Sequence, residues 1–307
     1  MIATAIPAGF AAGLFGIGGG LVTVPILFYI FSFSGIETAY VMHLAVGTSF
    51  GIIIPTSTVS VLTHHQHKAV DFGIVKGYGF FVAIGVILGT ILAASLKTKP
   101  LILFFTVVVY ILAFYLLFLK EKEEKLEIKM GLLAKGLSGV ISGFISAPMG
   151  IGGAVMNVPI LKFFGYPINK AIGSAAAIGF IIALFGAVGF LISGSYLNVN
   201  LPLSIGFLNI PAFLIFFPIT AFMARIGAKA SHRINKKKLY GIFFIILGLF
   251  LENLSSAEES LSHIVTHDPC LLNSIAISEP IPEAPAVITI LRFLRCSIFE
   301  IKDRLFF

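Results

Sequence analysis

The sequence predicts an all-α fold: a polytopic helical membrane protein with two homologous four-segment halves and Gly-rich broken helices. Three observations carry that prediction. The first is composition: of 307 residues, 58% are hydrophobic and only 11% charged, and the mean hydropathy is +1.03. A soluble domain is nearer a quarter charged, so this chain has too few charges to cover a surface facing water. The second is the length of its uncharged runs. Met1–Ile36, Gly77–Leu96, Leu101–Leu119 and Ala171–Ala224 contain no Asp, Glu, Lys or Arg, and one bilayer crossing takes about 20 apolar residues. Runs of this length exclude a β-barrel, whose strands alternate over roughly 10 residues. The third is an internal repeat.

Eight hydrophobic segments are expected, at about 1–31, 40–62, 73–95, 101–119, 131–162, 170–192, 201–224 and 239–254. The long run Ala171–Ala224 holds two of them, with a polar turn over Ser193–Pro202 between. Lys120–Lys129 carries four Lys and four Glu and reads as a solvated connector. The expected organisation is therefore a first transmembrane repeat over 1–119, a charged connector over 120–130 and a second repeat over 131–254. A polar tail over 255–307 follows. The eighth run, Leu239–Leu251, has 13 residues before Glu252. As a helix it reaches about 20 Å, short of the roughly 30 Å hydrocarbon core.

The net charge of +7 is not a nucleic-acid signal. Residues 1–251 hold 17 Lys/Arg against 6 Asp/Glu, and residues 252–307 hold 4 against 8. The positive residues cluster between segments, as cytoplasmic loops do. Both cysteines, Cys270 and Cys296, lie in the tail, which leaves no thiol chemistry in the bundle. The first segment lacks a basic leader and is too long for a signal peptide.

The repeat is visible residue by residue. Gly16-Ile-Gly-Gly19 matches Gly150-Ile-Gly-Gly153, and at the same offset Val24-Pro-Ile-Leu27 matches Val158-Pro-Ile-Leu161. Downstream, Ala45-Val-Gly-Thr-Ser49 answers Ala171-Ile-Gly-Ser-Ala175. Two matched pairs in the same order indicate duplication. These motifs, with Ala12–Gly20 and Pro25, resemble the TauE/SafE family of sulfite exporters and related permeases over roughly residues 3–251. The resemblance implies a multi-pass protein of the prokaryotic inner membrane that moves sulfite, an organosulfonate or another small anion. The sequence from about Asn253 onward has no counterpart in that family, and the run before the first Gly motif is shorter than its members usually carry.

Glycine costs about 1 kcal/mol relative to alanine inside a helix, and proline lacks the N–H that an unbroken helix uses. Gly16, Gly18, Gly19 and Gly20 with Pro25, and Gly150, Gly152 and Gly153 with Pro159, are therefore expected to interrupt their segments. Exposed backbone is expensive in hydrocarbon unless it lines a cavity or is packed in protein. Half-helix N-termini in transporters turn N–H groups and a positive dipole end toward an anion. The alternative is that these glycines only allow close helix packing. Alanine at Gly18, Gly19, Gly152 or Gly153 is expected to cost more in binding than in folding. A dinucleotide loop is excluded because Leu21 stands where a third glycine is needed.

The polar candidates beside the breaks are Asn157, whose first-half counterpart is Thr23, and the hydroxyls of Thr48, Ser49 and Ser174. An amide in hydrocarbon needs partners and offers two donors; the hydroxyls can donate to a substrate oxygen or bond back to a carbonyl one turn earlier. Lys162 and Lys170 read as snorkelling residues at segment ends. His64, His65 and His67 with Asp71 lie in a polar loop, and neither they nor His43 form a metal or proton-relay site. No nucleotide motif, cofactor or metal site is expected. The expected partners are a small anionic solute and the lipid bilayer, with no nucleic acid; oligomeric state is left open. An intramembrane enzyme would need a polar catalytic group within the spans, where little beyond hydroxyls and amides exists. A membrane assembly factor is a further alternative, and it predicts no response to any solute.

The loop with Arg225, Lys229, Arg233 and Lys236–Lys238 is the densest basic cluster, which places it in the cytoplasm. Lys97 and Lys99 assign their loop to the same side, making the halves parallel repeats, whereas the His64–Lys76 region argues the other way. The tail matches neither repeat. Deleting residues 255–307 is expected to leave anion binding intact, and a truncated, folded protein that no longer binds would place the tail in the site.

Overall fold

The computed structural model describes residues 5–6, 8–10, 19–34, 36, 39–66, 68–118, 131–197, 199 and 201–230. The connector, the expected eighth segment, the tail, Gly16 and Gly18 lie outside the described residues. So do His67, Arg233 and Lys236–Lys238. The described chain is helical apart from one small hairpin. Its helices are α1 (Gly20–Phe33), α2 (Val41–Gln66), α3 (Phe72–Ser95), α4 (Thr98–Phe118), α5 (Leu132–Met149), α6 (Ala154–Phe163), α7 (Ile168–Tyr196) and α8 (Ile210–Ala230). Residues 5–6 and 8–10 are helical as well.

Among the described residues, four stretches are long and apolar enough to cross a membrane: Val41–Gln66, Phe72–Ser95, Leu132–Met149 and Lys170–Tyr196. Gly20–Ser32, Thr98–Leu112, Ala154–Phe163 and Ile210–Ile226 are shorter apolar helices. Large apolar side chains cover the outside as well as the core. Phe80, Ile87 and Ile91 on α3, Leu103 and Ile111 on α4, and Ile192 on α7 are exposed, whereas Phe50, Phe190 and Phe216 are buried. An apolar exterior of this kind is what lipid tails solvate.

Among the described residues the expected segments stand, with two corrections. The Gly-rich break expected within residues 131–162 is present, because α5 stops at a left-handed Gly150 (φ 63°) and α6 starts after Gly153. The prolines, however, break nothing: Pro25 lies inside α1 and Pro159 inside α6. Each is the sixth residue of its helix, so only a single i−4 bond is lost in the second turn. Lastly, α7 runs on through Ser193 to Tyr196. The connection to α8 then carries a two-stranded hairpin, β1 (Ser204–Ile205) and β2 (Leu208–Asn209), in the register Ser204↔Asn209. Its turn inserts Phe207 fully into the bundle against Phe190, His43 and Tyr40.

Contacts fix the direction of each helix. His43 near the start of α2 bonds to Ala93 and Leu96 at the end of α3, so α2 and α3 are antiparallel. Helix α7 runs parallel to α3: Gly79 faces Ile181 and Gly189 faces Thr90. Helix α5 is also parallel to α3, with Gly139 on Tyr78, Gly143 on Val82 and Gly89 on Phe144. This last seam is built from Gly85 and Gly89 on one helix and Gly139 and Gly143 on the other. A Cβ at Gly85 or Gly143 would stand 2.2 Å from a carbonyl oxygen opposite, so only glycine permits this approach.

Helices α2 and α7 are therefore antiparallel, and the same devices recur around them in inverted sense. Gly47 on α2 lies against the Phe207 carbonyl, and the backbone N–H of Asn209 donates to Thr48 Oγ1 at 3.0 Å. Gly173 on α7 lies against the Ala69 carbonyl, and the backbone N–H of Asp71 donates to Ser174 Oγ at 3.0 Å. Asn209 and Asp71 both cap the helix that follows: Asn209 Oδ1 accepts from Ala212, and Asp71 Oδ1 accepts from Gly73 and Ile74. Thr48 and Ser174 hold matching places in the repeated motifs and perform the same task at opposite ends of the bundle.

This arrangement overturns the parallel-repeat expectation. Lys97 and Lys99 sit at the end where α2 and α8 begin, and Arg225 sits near the other end of α8. That second end also carries Lys68, Lys76, Lys135, Lys162, Lys170 and Lys229, so seven of the nine described basic residues share it. The positive-inside rule assigns that end to the cytoplasm. Single cysteines at Lys97 and Arg225 are expected to react with a membrane-impermeant maleimide from opposite sides, Lys97 in intact cells and Arg225 only after lysis. Labelling of both from one side would contradict the antiparallel arrangement.

Candidate functional site

The second break is built from helix ends. Helix α5 enters from the basic end, and its 18 residues rise about 27 Å. After Gly150–Gly153, all buried, α6 turns back: Gly153 faces Ile182, Gly179 faces Gly152 and Gly153, and ten residues later the chain reaches the start of α7. The pair is a hairpin that enters and leaves by the same end, with the α6 N-terminus inside. Helix α1 comes from the opposite end. It starts inside at Gly20, beside Ile53 of α2, and leads outward to the start of α2.

The start of α1 meets the end of α5. A Cβ on Gly20 would lie 2.1 Å from the Gly150 carbonyl oxygen, and Gly150 is wedged between Val24 of α1 and Val46 of α2. The same carbonyl accepts a 3.1 Å bond from Ser49 Oγ, which caps the end of α5 from the other half. Gly19, with φ 87°, caps α1, and Gly153 caps α6; neither brings a side-chain acceptor to the first-turn N–H groups. Two half-helices thus present positive dipole ends inside the bundle.

Asn157, in the first turn of α6, is completely buried. Its Oδ1 accepts from Tyr78 Oη at 2.9 Å and from Ser142 Oγ at 2.6 Å. Its Nδ2 has no hydrogen-bond partner among the described residues and lies over Gly153, where a Cβ would be 2.3 Å from it. Leaving such a buried donor unpaired costs about 1–3 kcal/mol. Thr23, the first-half counterpart, is also buried.

Of the expected site residues, Gly19, Gly20, Gly150, Gly152, Gly153 and Asn157 line the two helix starts, and Ser49 ties them together. Thr48 and Ser174 stand apart, engaged with the N-caps of α8 and α3. Tyr78 and Ser142 were not legible as site residues. Tyr78 belongs to the first half, and Ser142 lies two turns before the break, so only folding brings them to Asn157. His43 Nε2 closes the end of α3 through Ala93 and Leu96, each at 3.0 Å, while its buried Nδ1 has no partner. His65 packs its ring edge on Phe72, 5.2 Å away.

Apolar crossing helices, the antiparallel frame of α2 and α7 and helix starts buried within the bundle fit a multi-pass membrane transporter. Comparison with known proteins specifies which kind. The family model for the sulfite exporter TauE/SafE matches residues 1–251, and the chain belongs to that family. It is 30% identical over 246 residues to a probable membrane transporter protein of Haemophilus influenzae, covering 79% of this chain and 93% of that one. A probable membrane transporter protein of Methanocaldococcus jannaschii is 29% identical over 251 residues, covering 78% and 89%. One from Bacillus subtilis is 23% identical over 269 residues, covering 80% and 93%. No solved structure matches the chain. As a member of a transporter family, the protein is a carrier and not an enzyme.

The contact of the α1 start with the α5 end gives Gly20 a packing role. At Gly20 a methyl meets the Gly150 backbone, which cannot yield as a side chain can, so Gly20→Ala is expected to cost about 1–3 kcal/mol of folding stability. Gly179→Ala, whose methyl finds ordinary contact at 3.6 Å, is the control. Thermal unfolding in detergent distinguishes them, and equal midpoints would contradict the contact.

Proposed function

We propose that the protein is a secondary exporter of a small oxyanion, sulfite or an organosulfonate, in the inner membrane of a prokaryote. Its two four-segment repeats, 1–119 and 131–254, would alternate access to one site between the helix starts. Gly16, Gly18, Gly19, Gly20, Gly150, Gly152 and Gly153 would supply backbone N–H groups and room, and Asn157 a side-chain donor. Thr48, Ser49 and Ser174 would hold the surrounding ends in place, with Ser49 nearest the anion.

The observation that carries this reading is the Asn157 amide nitrogen, buried at the start of α6 with no hydrogen-bond partner among the described residues. A carrier tolerates such a cost where a ligand offsets it. An oxyanion suits the position because this amide donor lies in the first turn of α6, at its positive dipole end, and can take an acceptor there. The description of the family as sulfite exporters supports the same class. The names of the relatives specify no solute.

Access from alternate sides follows from inversion. On this reading the Gly20–Gly150 contact closes the way between α1 and the α5–α6 hairpin, and rocking that hairpin against the α2–α7 pair would open one end, then the other. Export needs no coupling ion, since an inside-negative potential favours exit of each negative charge by about 2.3 kcal/mol per 100 mV.

The test is a thermal-stability screen of purified protein against sulfite, thiosulfate, sulfoacetate, taurine and simple carboxylates, followed by flux in proteoliposomes. A true ligand at a hundredfold excess over its Kd stabilises the folded state by about 2.7 kcal/mol. Sulfite or a sulfonate is expected to stabilise and to be carried. A carrier that responds only to neutral or cationic solutes would refute the proposal.

A further inference from the structure

We infer that Tyr78 and Ser142 are positioning residues that fix the Asn157 amide with its N–H2 group toward the break, so that the site selects a fully ionised oxyanion of the sulfonate class. The inference rests on the oxyanion reading above and deepens it.

A carboxamide has one oxygen with two lone pairs and one nitrogen with two protons. At Asn157 both lone pairs are taken, one by the Tyr78 hydroxyl from α3 and one by the Ser142 hydroxyl from α5. All three residues are essentially inaccessible to solvent, so no water competes for these bonds. The nitrogen is thereby turned to the opposite side, over Gly153, with neither proton bonded to any described residue. The glycine matters here, because a methyl would occupy the space of the amide nitrogen. The reverse orientation would aim a carbonyl oxygen at the same spot, beside the α6 N-terminus, and a carbonyl repels an anion.

Facing the amide N–H2 group, a ligand is discriminated by what it can accept. A sulfonate offers three unprotonated oxygens and no proton. A protonated acid that turned its O–H to the amide would meet no acceptor there, leaving that donor buried and unpaired. Tyr78 also joins the halves: it is carried by α3 of the first half, yet it orients the ligand donor of the second. Ser142 alone, on the same hairpin as Asn157, leaves one lone pair of Oδ1 free and the amide less firmly held.

Methanesulfonate is the probe, since its charge does not change between neutral and mildly acid pH and any pH dependence then belongs to the protein. Binding is measured by titration calorimetry in detergent, with thermal stability followed in parallel. Wild-type protein is expected to bind with a flat pH profile. Asn157→Asp keeps the shape and the two hydroxyl partners but turns a carboxylate oxygen to the anion. Its binding should vanish at neutral pH and return as the carboxyl protonates and becomes a donor. Tyr78→Phe and Ser142→Ala should each weaken binding by about tenfold or more, without introducing a pH dependence. A purely structural role for Asn157 predicts no recovery at acid pH.

The inference is overturned if Asn157→Asp binds methanesulfonate at neutral pH as wild type does. It is equally overturned if folded Tyr78→Phe and Ser142→Ala both retain wild-type affinity. Wild-type protein that binds sulfite but not methanesulfonate would sink the sulfonate selectivity and leave the exporter reading standing. If no oxyanion binds wild-type protein at all, the exporter reading itself fails and this inference falls with it.

Discussion

Wherever a helix stops inside a membrane, its freed backbone groups must find partners within the protein, because hydrocarbon offers none. This chain meets that constraint by making each half complete the other. The carbonyl left open at the end of α5 is closed by Ser49 of α2, and the N-caps of α8 and α3 are held by Thr48 and Ser174. Since the second latch repeats the first in inverted sense, α2 and α7 form an antiparallel frame to which everything else attaches. The hairpin turn that seats Phe207 under Gly47 belongs to the same frame. With a side chain at Gly47 or Gly173, the connecting loop could not approach closely enough for its N–H to reach the hydroxyl.

Close approach through glycine governs packing elsewhere as well. Between apolar helices in lipid there is little hydrophobic gain on association, so packing contact and backbone proximity decide which helices pair. The α3–α5 seam obtains both from Gly85, Gly89, Gly139 and Gly143. It also places Tyr78 against α5 near Ser142, within reach of the break. The polar cluster at Asn157 is thus a consequence of the glycine seam, and the amide orientation follows from which hydroxyls that seam delivers.

Where the start of α1 meets the end of α5 at Gly20 and Gly150, a positive dipole end lies against a carbonyl of a negative one, which is favourable. The start of α6 follows three residues after Gly150, and an anion would complement its positive end. On the proposed mechanism, the closed contact and the ligand-bound arrangement compete for the same donors, which is the condition for a ligand to shift a conformational equilibrium.

Much of this was legible from the chain alone. The uncharged runs located α2, α3, α4 and α7 to within a few residues, because the demand for apolar length is local and strong. The doubled Gly-Ile-Gly-Gly placed the second break correctly, since backbone freedom is written into residue type. Proline was misread as a breaker at Pro25 and Pro159 because its effect depends on its place in the helix, which is set by where the helix starts. Family membership was carried by the same glycine motifs. Relative orientation was not legible: Lys97 and Lys99 gave the wrong parity because nothing local reveals that residues 131–162 return to the end they entered from. Nor could Tyr78 and Ser142 be linked to Asn157, 79 and 15 residues away, by any periodicity. The sequence by itself determined that this is a duplicated helical membrane protein with broken helices, because length, apolarity and glycine act locally. The tertiary structure alone decided that the halves are inverted and which hydroxyls orient the buried amide, because hydrogen bonds between distant segments exist only after the helices have packed.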